Sequence, residues 1–371
     1  MATTLIIQDN AVRVHVLWTT DYGLQEMKVG LVGFAGSGKS SVFHWLSGVK
    51  PDPAKSQVGQ TGIAKIPDAR LDWLSAKFQP RKTTAATIEF LDTPGLLPTE
   101  RRDNPRRLGI LRESGGLLVV LNGFNEPDLA GQLRRFREEL MFADLEIVSN
   151  RISRLQDQLR KPRPAKQKEA DERELDLLQR IAAAFEANQS PTALRLKEDE
   201  EKAIRSFQLL TLKPEQVLVN LGDDRLNQPL PADLLALVPN ALQAPAKLEM
   251  ELHDLPEDDR QMFMSDLGLK SFVRDEVLRA VFAAMGQIVF FTVGEDECRA
   301  WSMPKGADAV VGASQIHTDL ARGFVRAEVV SYDDFHCVGS MKEAKTHGVY
   351  RLEGKTYIVQ DGDIMHILAS T

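Results

Sequence analysis

The run Gly33-Phe34-Ala35-Gly36-Ser37-Gly38-Lys39-Ser40, followed by Ser41, sets three glycines ahead of a lysine and two hydroxyls. This GxxxxGK[ST] spacing is that of a phosphate loop. Glycines let the backbone turn so that successive N–H groups face an anion, Lys39 reaches the outer phosphates, and the Ser40 hydroxyl can ligate magnesium. Asp92-Thr93-Pro94-Gly95 supplies the other half of that chemistry: Asp92 holds the metal through water and the Gly95 amide senses the outermost phosphate. Leu96 stands where a water-positioning glutamine would be needed, and a leucine cannot orient an attacking water. Asn220-Leu221-Gly222-Asp223 lies where an Asn-Lys-x-Asp base-reading motif would fall. There Asp223 could accept the N1 and N2 hydrogens of guanine, whereas Leu221 removes the lysine stem that stacks along the base. Taken alone, the tetrapeptide reads equally well as a strand-end turn.

These residues need elements to position them. MKVGLV is a short apolar strand ahead of the glycine loop, and SSVFHWLSG is a helix with apolar residues at Val42, Phe43 and Leu46, ended by Gly48. TIEFLDTPG, GGLLVVLNGF and EQVLVNLG are further short apolar strands separated by helical stretches, the pattern of a parallel sheet wrapped by helices. Between the third and fourth strands Leu145, Val148, Ile152, Leu155 and Leu159 fall at steps of three and four, a coiled-coil stripe. KPRPAKQK turns the chain, and Leu175, Leu178, Ile181 or Ala182, and Phe185 give the returning stripe. An antiparallel helical hairpin inserted in the nucleotide domain is expected, two helices packed on each other that can also serve as an arm for a large partner. Helical segments around Arg260–Val273 and Glu276–Met285 lead to about 289–371, where IVFFTVG, FVRAEVVSY, YRLEG, TYIVQDG and IMHIL predict a small mixed sheet, too small and polar to be catalytic alone. Residues 1–26 hold one alternation, Val12, Val14 and Val16, and read as a dispensable extension.

A chain of 371 residues predicts two or three compact units. At 43% hydrophobic and 27% charged it is neither collagen-like, disordered nor membrane-embedded, and no apolar run approaches the roughly 18 residues a bilayer span needs. No secretory signal and no membrane partner are expected. The net charge of −7 leaves nucleic acid to a local basic face, without DNA sequence recognition. Two cysteines, Cys298 and Cys337, read as ordinary thiols in a reducing cytoplasm. His317 and His366 lack metal-spaced companions and read as turn or sheet residues. Arg101, Arg102, Arg106 and Arg107 form a charged, solvated loop that could also meet RNA phosphates or a nucleotide, as could Arg326 and Lys305.

Several stretches resemble the Obg-like ATPases of the YchF subfamily of translation-factor GTPases: IPDARLDWLSAKFQP with TIEFLDTPGLL, FREELMFADLEIVSNRISRL, FFTVGEDECRAWSMPKGA, IHTDLARGFVRAEVVSYDDF and YIVQDGDIMHI. The resemblance runs from Met27 to Thr371. It implies an α/β fold: a P-loop G domain over 27–125 and 212–288, an inserted hairpin over 126–211, and a C-terminal TGS domain, a ubiquitin-like β-grasp module, over 289–371. It also implies magnesium-dependent ATP or GTP hydrolysis and a ribosome-associated role in the cytoplasm, with ribosome or RNA meeting the hairpin and the TGS domain. The family's base motif resembles NxxE, which goes with ATP preference.

The departures fall where catalysis would occur. The family places Pro and Asn at Ala35 and Gly36, and a glycine-rich mobile loop where this chain has PTERRDNPRR. A histidine proposed to replace the missing glutamine aligns near Ile110, and the family's mobile-loop threonine, a metal ligand, aligns with Ser56. Pro245 replaces a serine of the base-contacting loop, leaving Ala246 and Lys247. Phosphate binding by residues 33–41 is therefore better supported than fast hydrolysis, with Leu96 and Ile110 shielding the phosphates from water. The expectation is a slow nucleoside triphosphatase, the rival a nucleotide-responsive binding protein that has lost turnover. A small-molecule kinase, which any P-loop permits, is opposed by the hairpin and the C-terminal resemblance.

Overall fold

The structure, a computed structural model, describes residues 27–55, 58–97, 104–189, 194, 196–226 and 228–370. The 1–26 extension, Ser56, Arg101 and Arg102 lie outside the described residues. In chain order the elements used below are β1 (Lys28–Val32), α1 (Lys39–Ser47), β2 (Gln60–Lys65), α2 (Ala69–Phe78), β3 (Lys82–Thr84), β4 (Thr87–Asp92), α3 (Asn104–Gly109), β5 (Gly116–Gly123), α4 (Leu129–Leu159), α5 (Ala165–Glu186), β6 (Glu215–Leu221), β7 (Leu242–Ala244), α6 (Ala246–His253) and α7 (Arg274–Ala284). The C-terminal part adds β8 (Gln287–Thr292), β9 (Glu297–Pro304), α8 (Ala309–Ile316), β10 (Phe324–Ser331), α9 (Tyr332–Val338), β11 (Arg351–Glu353) and β12 (Asp363–Ala369). Contacts divide the chain into two compact units, one of Lys28–Gly62 and Phe90–Arg274, the other of Met27, Ile63–Glu89 and residues 275–370.

The first unit is organised by a sheet of order β2-β4-β1-β5-β6-β7. Its β1–β5, β5–β6 and β6–β7 pairs are parallel, as the helix-separated apolar strands predict. β5 is buried along almost its whole length because helices cover both faces of such a sheet. On one face Leu117, Val119 and Leu121 of β5 share a core with Leu129, Leu133, Phe136 and Leu140 of α4. Beyond that core α4 continues for 31 residues in all and α5 returns for 22, forming the predicted hairpin. Val148, Leu155, Leu178, Ile181 and Phe185 of the two stripes are buried, while Leu145, Ile152, Leu159, Leu175 and Ala182 are half-buried. Arg151 grips Glu174 across the pair at 2.7 and 2.8 Å. At the hairpin base the fully buried Asp144 accepts from Arg112 Nη1 at 2.7 Å and from the Leu210 and Thr211 amides at 3.1 and 2.8 Å. A buried carboxylate is tolerable only when its oxygens are filled in this way.

The second unit holds a mixed sheet of order β11-β10-β12-β8-β9-β3. The β8–β9 and β10–β12 pairs are antiparallel, and β12 lies parallel to β8, so the first and last strands meet at the centre as in a β-grasp. Ala309 and Ala313 of α8 pack on Ile288, Phe290, Met303, Ala327, Val329 and Met365. Asp308 starts that helix by accepting from the Val310 and Val311 amides, each at 3.0 Å. The segment 63–89 adds to this sheet: β3 pairs parallel with β9, and Thr84 Oγ1 donates to Glu297 Oε1 at 2.5 Å. Trp73 of α2 meets Tyr332 and Phe335 of α9 edge-on, and Arg70 bridges Asp68 and Asp361 at 2.8 and 2.7 Å.

Candidate nucleotide site

The glycine loop leaves β1 and enters α1 in the backbone shape its composition demands. Gly33 has φ +146°, and a Cβ there would sit 2.4 Å from the Val120 carbonyl oxygen. Gly38 has φ +82°, and its Cβ would fall 2.2 Å from Asn220 Nδ2. Both positions therefore require glycine, for conformation and for space. The Phe34 side chain turns down into the core, edge-on to Phe136, so that the loop offers backbone rather than side chain outward. Two amides hold the loop from beneath: Asn220 Nδ2 donates to the Ser37 carbonyl at 3.2 Å and Asn122 Nδ2 to the Gly36 carbonyl at 3.4 Å. Ala35 and Gly36 are exposed at the tip.

Lys39 begins α1 and is 6% exposed, with Nζ donating to the Phe34 carbonyl at 3.0 Å. Burial lowers its pKa to about 8, against the opposing pull of Asp92. Burial likewise pushes the Asp92 carboxyl up, opposed by its hydrogen bond with Ser40 and by Lys39. Asp92 Oδ1 is buried with no hydrogen-bond partner among the described residues, as is Ser37 Oγ. A desolvated carboxylate oxygen beside a serine hydroxyl is a hard donor pair suited to a small divalent cation.

The turn after Asp92 is zipped onto the loop. The Ala35 amide donates to the Leu96 carbonyl at 2.8 Å and the Leu96 amide to the Gly33 carbonyl at 3.1 Å. Thr93 Oγ1 anchors the turn on the Leu31 carbonyl at 2.6 Å. Gly95 is left so close that a Cβ would stand 2.7 Å from Ala35 Cα and 2.9 Å from Lys39 Nζ. Leu96 does not shield phosphates with its side chain: it is 2% exposed and lies in the core, because its backbone bonds fix the side chain facing inward. Ile110 is half-buried and lines the space beside Gly59.

At the far end Leu221 packs against the core and Asp223 stands exposed at the start of a short turn, with Phe124 beside Gly222. Ala246 is buried at the head of α6, and Lys247 points along the helix surface to Glu251 at 3.6 Å. α6 is moored to α1 because Trp45 Nε1 donates to the buried Glu249 at 3.0 Å, and Arg274 caps α1 through the Trp45 and Leu46 carbonyls at 2.7 and 2.6 Å. The contributions of Asn122, Glu249 and Arg274 go beyond the motifs, and a strand-end position is the sole sequence signal for Asn122. His317 caps a helix through the Asp319 amide, His366 pairs with Glu328 at 2.8 Å, and Cys298 is buried. Among the described residues no His, Cys, Asp and Glu cluster could hold a metal by itself, and no helix is long and apolar enough to cross a membrane.

A parallel sheet with a glycine loop between its first strand and helix, and a DxxG turn docked against that loop, defines a P-loop nucleotide-binding protein of the GTPase class. The family described as 50S ribosome-binding GTPase matches residues 28–151, and YchF-GTPase_C, described as a protein of unknown function (DUF933), matches 287–370. The ribosome-binding ATPase YchF of Bacillus subtilis is 30% identical over 365 residues, covering 92% of this chain and 98% of its own. That of Pasteurella multocida is 34% identical over 361 residues, at 91% and 98%. The Schizosaccharomyces pombe YchF GTPase structure superposes with a TM-score of 0.76 at 22% identity, covering 95% of this chain and 99% of that one. The chain belongs to the YchF family.

Proposed function

We propose that this protein is a cytoplasmic nucleotide-binding ATPase or GTPase with slow intrinsic turnover that works on the ribosome. The observation that carries the reading is the pairing of a buried lysine with a carboxylate that has one buried, unpartnered oxygen, at a glycine loop ahead of a helix. Each charge is costly without the group it waits for, and a metal–triphosphate supplies both counter-charges at once. Magnesium would be held by Ser40 and Asp92 and would neutralise charge developing on the outer phosphate oxygens. The chain itself contributes the loop amides and Lys39 to the phosphates, Gly95 to the outermost one, and Asn220 to the rigidity of the loop. No side chain in the described turn is placed to act as base: Leu96 is in the core and Ile110 is apolar, so chemistry rests on fixed electrostatics. The nucleotide domain would comprise 27–125 and 212–288, with the hairpin (126–211) and the C-terminal domain (289–371) facing ribosome or RNA. The names of the relatives, ribosome-binding ATPases, support the ribosome as the partner.

The test is nucleotide affinity and turnover for ATP and GTP, with and without ribosomes, on the parent and on Lys39→Ala. Parent binding with magnesium is expected, and the variant should lose on the order of a hundredfold, the scale of removing a buried charged partner. Equal affinity of the two proteins would refute the phosphate-loop assignment. Single-turnover hydrolysis near one per second without a partner would show a catalytic base outside the described residues of this site, whereas no turnover even with ribosomes would favour a binding protein.

A further inference from the structure

The charges of the hairpin are sorted along its length. Between Asp157 and Glu169 the chain carries five cations, Arg160, Lys161, Arg163, Lys166 and Lys168, and no acid. That run is the tip: α4 ends at Leu159, α5 begins at Ala165, and Pro162 and Pro164 between them fix the backbone φ of the turn. Arg163 holds the turn itself, through the buried Asp171 of α5. The other four cations are exposed. Arg160 meets Asp157 at 3.4 Å and Lys168 meets Glu172 at 3.8 Å, both in the open, and among the described residues no ion pair holds Lys161 or Lys166. Open pairs of this kind contribute little and yield to a stronger anion.

Nearer the body the sign reverses. A groove between α5 and the helix Glu198–Ile204 is lined by Glu169, Glu172, Glu174, Asp176, Asp199 and Glu200 against two arginines, Arg151 and Arg173. A long anion is therefore attracted at the end of the arm and repelled along this side. α4 leaves the sheet core at Ala143 and runs on to Leu159, roughly 24 Å at 1.5 Å per residue. Charges in water fade over about 10 Å at 0.1 M salt, so the cations of the tip, rather than the charge of the whole chain, decide what docks there.

We propose that the hairpin tip is a docking surface for RNA, held end-on by its phosphates on Arg160, Lys161, Lys166 and Lys168. RNA is the occupant because it is the dense polyanion of a ribosome, with a charge at every nucleotide to meet cations this closely spaced. The inference rests on the ribosome reading above and adds the place and mode of contact. Three of the four cations are lysines, point charges without the planar fork that reads a base edge, so the contact is independent of sequence.

The experiment titrates the full chain, with magnesium and a non-hydrolysable ATP analogue present, against labelled RNA stem-loops of two unrelated sequences and against ribosomes, at about 50 to 200 mM KCl. Beside the parent stand a tip variant combining Lys161→Gln, Lys166→Gln and Lys168→Gln, its counterpart with arginine at the same three positions, and a control combining Lys270→Gln, Lys342→Gln and Lys355→Gln, all exposed elsewhere. The glutamine tip variant should bind both stem-loops at least about tenfold more weakly, and its slope of log affinity against log salt should fall by about one per lysine, while the arginine variant and the control stay within about twofold of the parent. Far-ultraviolet circular dichroism checks the hairpin, and Lys161→Gln alone, outside both helices, replaces the triple variant if helix is lost. An equal loss in the control would make net charge the cause and overturn the proposal. So would a loss on ribosomes with RNA binding untouched, which would make the tip's partner a protein. Unchanged binding of the tip variant to ribosomes and RNA would overturn the proposal and leave the ribosome reading standing, whereas a parent that binds neither would overturn that reading itself.

Discussion

The two ends of the nucleotide site are built to different tolerances. Around the phosphates, one added carbon at Gly38 would lie 2.2 Å from Asn220, and Lys39 and an Asp92 oxygen are withdrawn from water. At the base end the matching groups are loose: Asp223 is exposed, Lys247 is 77% exposed and engaged with Glu251, and Leu221 is turned to the core. A buried polar group discriminates because the wrong ligand leaves it unpaired, whereas an exposed one returns to water at little cost. On the proposed nucleotide reading, the contrast predicts strong selection for phosphates on a metal and weak selection for the base they carry.

Gly38→Ala breaks the tight end most severely. A left-handed φ costs an alanine about 1–2 kcal/mol, and the added carbon must displace Asn220, whose amide holds the Ser37 carbonyl. Strain and displacement together should lower nucleotide affinity measured by titration by more than about a hundredfold for ATP and GTP alike, at about 1.4 kcal/mol per decade. A loss confined to one base would put base recognition inside the loop and erase the contrast. Asp92→Asn is milder, because the shape is kept and the carboxylate removed. The gain in triphosphate affinity on adding magnesium should shrink on the order of tenfold while metal-free affinity holds or rises, since the negative charge facing the phosphates is gone. An unaltered magnesium dependence would show that Asp92 does not hold the metal.

The tight end was also the legible one. Gly33, Gly38 and Lys39 act through backbone conformation and local sequence, so eight consecutive residues declare both the shape and the chemistry. The parallel strands and the hairpin were legible for a like reason: burial on both faces and helical stripes write periodicity into the chain. Leu96 misled because a residue type says what a side chain cannot do but not which way it faces; its inward turn is set by backbone bonds to Gly33 and Ala35, across more than sixty residues of sequence. Arg107 reads from its sequence as a solvated loop arginine, whereas its Nη1 stands 3.5 Å from the Gly95 carbonyl oxygen, a contact that no periodicity announces. The parallel pairing of β3 with β9 is a contact across more than two hundred residues, and three-residue strands carry too little alternation to show it.

The smallest expected effect lies at the loose end and sharpens the comparison furthest. Asp223 can accept two hydrogens from guanine, which favours GTP, while Leu221 in place of a lysine favours adenine or neither. Since Asp223 is exposed, its bonds to guanine replace bonds to water, and the net gain per bond is about 0.5–1.5 kcal/mol. ATP and GTP should therefore differ in affinity by less than about a hundredfold in competition titrations, below the 10⁴–10⁵ that a desolvated hydrogen-bonding site achieves. Asp223→Asn should weaken GTP by a few-fold, roughly one such bond, and leave ATP unchanged, because adenine presents no paired donors to a carboxylate. Preference for either nucleotide by several thousandfold would mean that the base end closes around its ligand and becomes as dry as the phosphate end. In that case the difference between the two ends would belong to the empty protein alone, and Asp223→Asn would lose GTP by orders of magnitude instead.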